Sequence, residues 1–450
     1  MGFLAQAGER ASEAAMVRIV GRVAALRGLT ILVDDLPVAS GSLVRLGSSA
    51  LGEVVGFTRE ASVVMVLTGE AEGVRVGDAV EVLGAARTIP AGEGMLGRVV
   101  DGLGRPIDGG GVIRGVAARA IEAEPIPALR RRTIRQALPT GVRAIDLMAT
   151  LGRGQRVGIF AGPGVGKSTL LASIARGSSA DLSVIALIGE RGREVRDFIE
   201  GALGEEGLRR SVLVVATGDE SPLMRVRAAL GACAIAEFFR DEGRDVLLMM
   251  DSITRFAHAQ RQIGLSAGEP PATKGYTPSV FSRLSRLLER AGAVEPGGAG
   301  EGGSITGVYT ILVDGDDLTE PIADAARGIL DGHVILSRKL AQRGHYPAID
   351  VLDSVSRVAD AVTDEEHRRA RRACLGLLAD YREVEDLVQI GAYASGSHAR
   401  TDVAIAMRDR IEGVLRQRAD EREAPEESRR SLLALADEAS KMLAKRGKVK

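Results

Sequence analysis

Short apolar runs separated by glycine, aspartate and proline fill the first part of the chain: VRIVGRVAAL, LTILVDD, GEVVGFT, SVVMVLTG and DAVEVLG. They are rich in β-branched residues, and strands at this spacing predict a small closed or partly closed barrel over 17–84, after an N-terminal segment 1–16. Residues 84–155 are rich in Gly and Arg, with turn signals such as DGLGRPIDGGG, and read as a connection into the next domain. From 156 the pattern changes. RVGIF, LSVIALIG, SVLVVAT, DVLLMMD and ITGVYTILVDG are continuous apolar runs, with helix-like segments such as KSTLLASIARG and PLMRVRAALGACAIAEFFRDEG between them. Strands without polar alternation are buried on both faces, so this α/β alternation predicts a parallel sheet covered by helices. The glycine-rich stretch PGGAGEGGS at 296–304 reads as a mobile loop. Beyond about 365 the chain is charged, amphipathic and nearly free of strand signals, which predicts a helical end over 366–450 broken at ADEREAPEESRR.

Composition narrows the class. A chain of 450 residues exceeds the usual single core, and 45% hydrophobic with 26% charged residues is ordinary for a globular protein. Lys and Arg total 59 against 60 Asp and Glu, a net charge of −1 that speaks against a protein coating nucleic acid. Cys233 and Cys374 stand far apart, which excludes a disulfide framework, and the five histidines lack metal-ligand spacing. The start, MGFLAQAGERASEAAM, lacks the basic and apolar regions of a secretory signal, and no apolar run approaches the ~18–20 residues of a membrane span. These features together describe a cytoplasmic enzyme. The basic end KMLAKRGKVK reads as a solvated helix terminus.

The chemistry begins at AGPGVGKST, residues 161–169, directly after the strand RVGIF. The pattern G-x-x-x-x-G-K-[ST] places a loop between a strand and a helix so that backbone N–H groups point at phosphates. Gly162, Gly164 and Gly166 permit the close approach, with Pro163 and Val165 between them. Lys167 supplies a point charge at the outer phosphates, Ser168 a hydroxyl for Mg²⁺, and Thr169 continues into the helix, whose positive end adds to the field. The first glycine of the strict pattern is Ala161 here.

Other candidates surround this loop in the predicted sheet. DVLLMMD ends in Asp251, either a helix cap or a carboxylate for Mg²⁺ beside the loop. VIALIGERG places Glu190 just past another strand, either in a solvated turn or orienting the attacking water, with Arg191 next to it. Tyr346 in GHYPAID is either a core aromatic or a face for a base. Arg357 in SVSR is either a surface cation or a group reaching a neighbouring subunit's site. An arginine of that second kind raises phosphoryl transfer by roughly 10³–10⁵.

From about 17 to 415 the chain resembles the type III secretion and flagellar export ATPases, relatives of the rotary ATP synthase catalytic subunit. The resemblance is carried by LPTGVRAIDLMATLGRGQRVGIFAGPGVGKST, GERGREVRDFIE, LLMMDSITRFAHAQR, GYTPSVFSRLSRLLERAG, TILVDGDDLTEPIADAARGILDGHVILSRKLAQRGHYPAIDVLDSVSR and VEDLVQIGAY. It implies a RecA-like P-loop core over 85–365 between the barrel and the helical domain. It also implies ATP as substrate with Mg²⁺ at Ser168 and Asp251. Glu190, Arg191 and Lys167 become catalytic residues, Tyr346 the aromatic at the adenine, and Arg357 a finger into the next subunit. The expected assembly is a homohexamer, peripheral at the inner membrane, working with stalk, export-gate, chaperone and secreted proteins. Pro163 stands where the export family often has Ser. The C-terminal helices lack the synthase's acidic D-E-L-S-E-E-D lever, and Glu190 and Arg357 in one chain fit a ring of identical subunits. A synthase-type catalytic subunit and a hexameric nucleic-acid translocase are the alternatives. The barrel, with one Phe and no Tyr, lacks the stacking platforms a translocase needs.

Overall fold

The computed structural model describes residues 18–47, 50–69, 73–85, 88–124, 126–295, 302–313, 315 and 317–447. The N-terminal segment 1–16, positions 296–301 of the glycine-rich stretch and the last three residues therefore lie outside the described residues. The described residues of Met1–Thr88, Glu220–Val226 and His258–Val280 form one compact unit, and those of Ile89–Asp219, Arg227–Ala257 and Phe281–Lys450 form a second.

In the first unit, β1 (Val20–Arg27), β2 (Thr30–Asp34), β3 (Ser42–Leu46), β4 (Ala50–Phe57), β5 (Ser62–Thr68) and β6 (Ala79–Ala85) close a barrel in the order β1-β2-β5-β4-β3-β6. All six pairings are antiparallel, so no strand edge is left open. Val23, Val33, Val44, Val54, Val64 and Val80 fill the interior at 0–2% exposure, the inward half of an alternating pattern. Strand β3 was not expected from the pattern. Its sequence SLVRL is short and carries the exposed Arg45, and pairing with β4 and β6 holds it in place.

In the second unit, which takes all of β7 (Thr88–Ala91) but its first residue, β7 pairs with β9 (Ala117–Ala120), and β8 (Val99–Val100) joins the edge of a nine-stranded sheet. The other strands of that sheet are β10 (Arg156–Ala161), β11 (Leu182–Ile188), β12 (Ser211–Ala216), β13 (Asp245–Asp251), β14 (Gly292–Ala293), β15 (Ser304–Leu312), β16 (Gly332–Leu336) and β17 (Ile349–Ser356). The order is β17-β16-β10-β15-β13-β11-β12-β8, with β14 on β15. The five continuous apolar runs are β10, β11, β12, β13 and β15, and β11 and β12 are buried along their whole length. Gly158 and Gly307 let the aromatic two residues on lie down over the strand. A Cβ at either would stand 2.5–2.6 Å from the ring of Phe160 or Tyr309.

The five apolar runs pair in parallel as expected, and the antiparallel strands of the sheet are ones the pattern did not reveal. β17 runs antiparallel to β16, and β14 antiparallel to β15. GHVIL and IDVLDSVS, the second and the edge strand at that side of the sheet, alternate between buried and partly exposed positions, so they lack the apolar run that betrays a strand buried on both faces. The connecting stretch 84–155 likewise contributes β8 to the sheet, pairing in parallel with β12.

Three helices close the chain: Glu365–Gln389, Ala399–Leu415 and Pro425–Gly447, with the break falling at 416–424. The first is capped by Asp364, whose carboxylate accepts from His367 N–H at 2.8 Å. Leu377, Val403, Met407, Ile411 and Leu432 belong to the same apolar core as Ile159, Leu171 and Leu187 of the sheet and the segment after β10. The helical end is thus packed onto the sheet's unit by one continuous core.

Candidate active site

Strands β10, β15, β13 and β11 are neighbours and parallel, so their carboxyl ends lie side by side along one edge of the sheet. In open α/β sheets that edge is where ligands bind. The four ends deliver Lys167, Thr310, Asp251 and Glu190.

The phosphate loop follows β10. Gly164 and Gly166 have φ of 76° and 93°, the left-handed region where a side chain would be strained. Ala161 is instead the last residue of β10, wholly buried, and its Cβ packs in the core. Its place in a strand removes any need for glycine there. The helix Lys167–Gly177 buries Leu170, Leu171 and Ile174. Its N-terminal N–H groups carry no side-chain cap, which leaves them for an anion. Ser168 and Thr169 are exposed in its first turn, as are Pro163 and Gly164 in the loop.

Lys167 Nζ donates to Asp251 Oδ1 and lies 3.5 Å from Glu190 Oε1. The three side chains are between 5% and 16% exposed, so one cation meets two shielded carboxylates. Thr310 Oγ1 donates to the same Asp251 Oδ1 at 2.7 Å. Both bonds fall on Oδ1, and among the described residues nothing is bonded to Oδ2. Burial raises Glu190 above the usual carboxylate range and the neighbouring Asp251 charge adds to this, while Lys167 opposes it. Glu190 is held by its backbone: its carbonyl accepts from Gly218 N–H at 3.0 Å. The preceding Gly189 has φ of 73°, with the stem of Arg255 packed against it.

These residues fit Mg²⁺. A cluster of two carboxylates and one ammonium keeps a net negative charge, Asp251 has an oxygen left over, and the exposed Ser168 hydroxyl adds a second hard donor.

Two other expected residues stand elsewhere. Arg191 is 82% exposed on its side chain and faces Glu194 at 3.9 Å, without contact to Lys167 or Asp251. Arg357 follows β17 and is exposed. Its N–H donates to Asp331 O at 2.9 Å and its guanidinium to Arg327 O at 3.5 Å, and among the described residues it touches none of Lys167, Glu190 and Asp251.

Tyr346 is brought to the loop. Its ring lies over Gly166, where a Cβ would stand 3.5 Å from the ring edge, and it is 46% exposed. Beside it opens a cleft of about 570 Å³, walled by Val165, Leu170, Val142 and the segment 416–419. The size suits a base and ribose. Sequence reasoning missed Thr310 and this far wall. Thr310 was visible as a polar residue inside ITGVYTILV, whereas the wall comes from 250 residues beyond the loop and carries no motif.

Residues 141–356 match the nucleotide-binding domain of the ATP synthase alpha/beta family, and residues 363–434 match the T3SS EscN ATPase C-terminal domain. The chain is 53% identical over 416 residues to the flagellum-specific ATP synthase of Treponema pallidum, covering 91% of each chain. It is 48% identical to the type 3 secretion system ATPase of Xanthomonas euvesicatoria, covering 94% of this chain and 96% of that one. Among solved structures, the assembled ATPase EscN from the enteropathogenic E. coli type III secretion system superposes with a TM-score of 0.86 at 43% identity. That match covers 92% of this chain and all of the other. EscN in complex with its central stalk EscO gives 0.84 at 42% identity. The chain belongs to the family of flagellar and type III secretion ATPases.

Proposed function

We propose that this chain hydrolyses ATP as one subunit of a homohexameric ring that energises protein export through a flagellar or injection-type secretion apparatus. The observation that carries the reading is the convergence of Lys167, Asp251 and Glu190 beside an uncapped helix N-terminus. In this reading the loop N–H groups and Lys167 hold the β- and γ-phosphates, and Ser168 and Asp251 hold Mg²⁺. The ion supplies charge neutralisation at the phosphate oxygens. Thr310 fixes the Asp251 carboxylate. Glu190 accepts the proton of the attacking water as its oxygen bonds to the γ-phosphorus and the bond to the β–γ bridging oxygen breaks. A carboxylate raised by burial is a stronger base for that task than an exposed one. Tyr346 stacks on the adenine. Arg357, exposed and away from its own chain's triad, serves the neighbouring subunit's γ-phosphate.

The relatives named for flagella and for type 3 secretion support export as the work done. The EscN–EscO complex supports a central stalk as a partner. Export-gate proteins, chaperones and secreted substrates complete the partners, at the cytoplasmic face of the inner membrane, and nucleic acid is not among them. Among the described residues no helix is long and apolar enough to cross a membrane. The deciding experiment is Glu190→Gln, with steady-state ATPase activity and ADP binding measured together. We expect kcat to fall at least ~10²-fold with nucleotide affinity retained. A variant hydrolysing ATP at the parent rate would remove Glu190 from the chemistry and the reading with it.

A further inference from the structure

The wall of the cleft opposite Tyr346 is not part of the phosphate-binding core. It is the irregular segment that follows the C-terminal helix Ala399–Leu415. Two side chains hold it. The Arg143 guanidinium donates from Nε to Val414 O at 2.8 Å and from Nη2 to Arg416 O at 2.5 Å, and its Nη1 pairs with Glu421. Arg143 N–H donates to Gln417 Oε1 at 2.9 Å. Gln417 Nε2 donates in turn to Gly141 O at 2.8 Å and to Glu421 O at 3.1 Å. The backbone N–H of Gln417 donates to Tyr346 O at 2.9 Å, so the segment is bonded directly to the aromatic loop. The turn that carries Gly141 and Arg143 is itself fixed, because Asp146 accepts from Thr140 N–H, Thr140 Oγ1 and Gly141 N–H at 2.8, 2.7 and 2.9 Å.

The chemistry of the pair is informative. Both amide hydrogens and the oxygen of Gln417 are engaged within the protein, so the side chain has no free donor to offer a base. Arg143 is 12% exposed on its side chain and directs two of its nitrogens at main-chain carbonyls, a use that orients a segment instead of binding a ligand anion. We propose that Arg143 and Gln417 are positioning residues that fix the spacing between the Tyr346 ring and the 416–419 wall. They set the affinity for the base half of the nucleotide without acting on the phosphates. They also make the helix Ala399–Leu415 part of the nucleotide site. The proposal rests on the reading that this cleft takes the base. A wall held in place before binding spares the ligand the cost of ordering it, and loosening the wall returns that cost to the base alone.

The test is calorimetric titration of the full-length protein with ADP and, separately, with inorganic pyrophosphate, both with Mg²⁺. The parent is compared with Gln417→Leu, Arg143→Lys and Tyr346→Ala. We expect Gln417→Leu to bind ADP about tenfold more weakly, a loss of ~1.4 kcal/mol, with pyrophosphate affinity unchanged within about twofold. Arg143→Lys keeps the charge, loses the forked contacts to the two carbonyls, and shifts in the same direction. It decides the question alone if Gln417→Leu does not fold. The clasp is overturned if both variants leave ADP binding unchanged while Tyr346→Ala weakens it, an outcome that leaves the base cleft standing. Equal loss for ADP and pyrophosphate overturns it too, since that marks general damage. If Tyr346→Ala also fails to separate ADP from pyrophosphate, the cleft does not take the base and the clasp falls with it.

Discussion

Asp251 illustrates how one strand-end residue is prepared for its task. At 3% exposure its carboxylate is supported by the Lys167 ammonium and the Thr310 hydroxyl, both on the same oxygen. Thr310→Val removes the one donor that no nucleotide would displace. A hydrogen bond to a buried charge is worth about 1.5–3 kcal/mol, so denaturant unfolding of the variant should show a loss of that size, together with weaker Mg²⁺-dependent ADP binding. Unchanged stability would mean that Lys167 alone satisfies the carboxylate. Ala161 gives the opposite lesson. Restoring the strict glycine motif with Ala161→Gly would loosen the end of a buried strand and remove a packed methyl, costing about 1 kcal/mol. We expect it to leave the ATPase rate where it was. A faster enzyme would show that the loop entrance, and not the strand end, governs this position.

Two elements near the cleft beside Tyr346 respond to acid in opposite senses. In the turn Thr140–Asp146, burial raises Asp146 from 3.8 to about 6, so the folded protein holds that proton more tightly than the unfolded chain. Its contribution to stability therefore falls as pH rises from about 4 to 6 and is constant above. In the loop after β16, burial and the nearby Arg416 and Arg408 lower His345 from 6.5 to about 4. Here the unfolded chain holds the proton more tightly, and stability rises across nearly the same interval. The two contributions oppose each other in the parent. Urea unfolding at several pH values between 4 and 6.5 should show this by difference. Asp146→Asn should tilt stability upward with pH relative to the parent, and His345→Asn downward, each by about 1 kcal/mol per pH unit. Curves parallel to the parent's for both variants would count against it. The same elements mark where sequence reasoning stops. The central strands were legible because burial on both faces forces an unbroken apolar run, and the phosphate loop because positive φ demands glycine at fixed spacing. β3, β16 and β17 were not legible, because partly exposed strands share their alternation with loops and helices. Asp146, Arg143 and Gln417 act through main-chain groups that chain topology brings together, and no local pattern encodes such partners.

The assembled molecule raises the question of where each active centre is completed. Lys167, Asp251 and Glu190 meet within one chain, while Arg357 lies exposed just after β17 and, among the described residues, bonds only to the main-chain carbonyls of Asp331 and Arg327. In the proposed ring of identical subunits a head-to-tail contact would bring the Arg357 end of one copy's sheet to the next copy's loop, and every interface would repeat that pairing. Two damaged subunits should then repair each other. Glu190→Gln lacks the base but keeps the guanidinium, and Arg357→Ala lacks the guanidinium but keeps the base. Each alone should be nearly inactive in steady-state ATPase assays. Mixed in equal amounts and allowed to exchange, about a quarter of the interfaces should join an intact Glu190 to an intact Arg357. The mixture should therefore recover up to about a quarter of the parent's activity, and dilution should abolish the recovery as rings dissociate. A mixture no more active than its components, with exchange verified by labelled subunits, would place Arg357 at its own chain's site or at none. A site complete in each monomer would instead give a specific activity independent of dilution. That pattern would leave the ring without a part in hydrolysis.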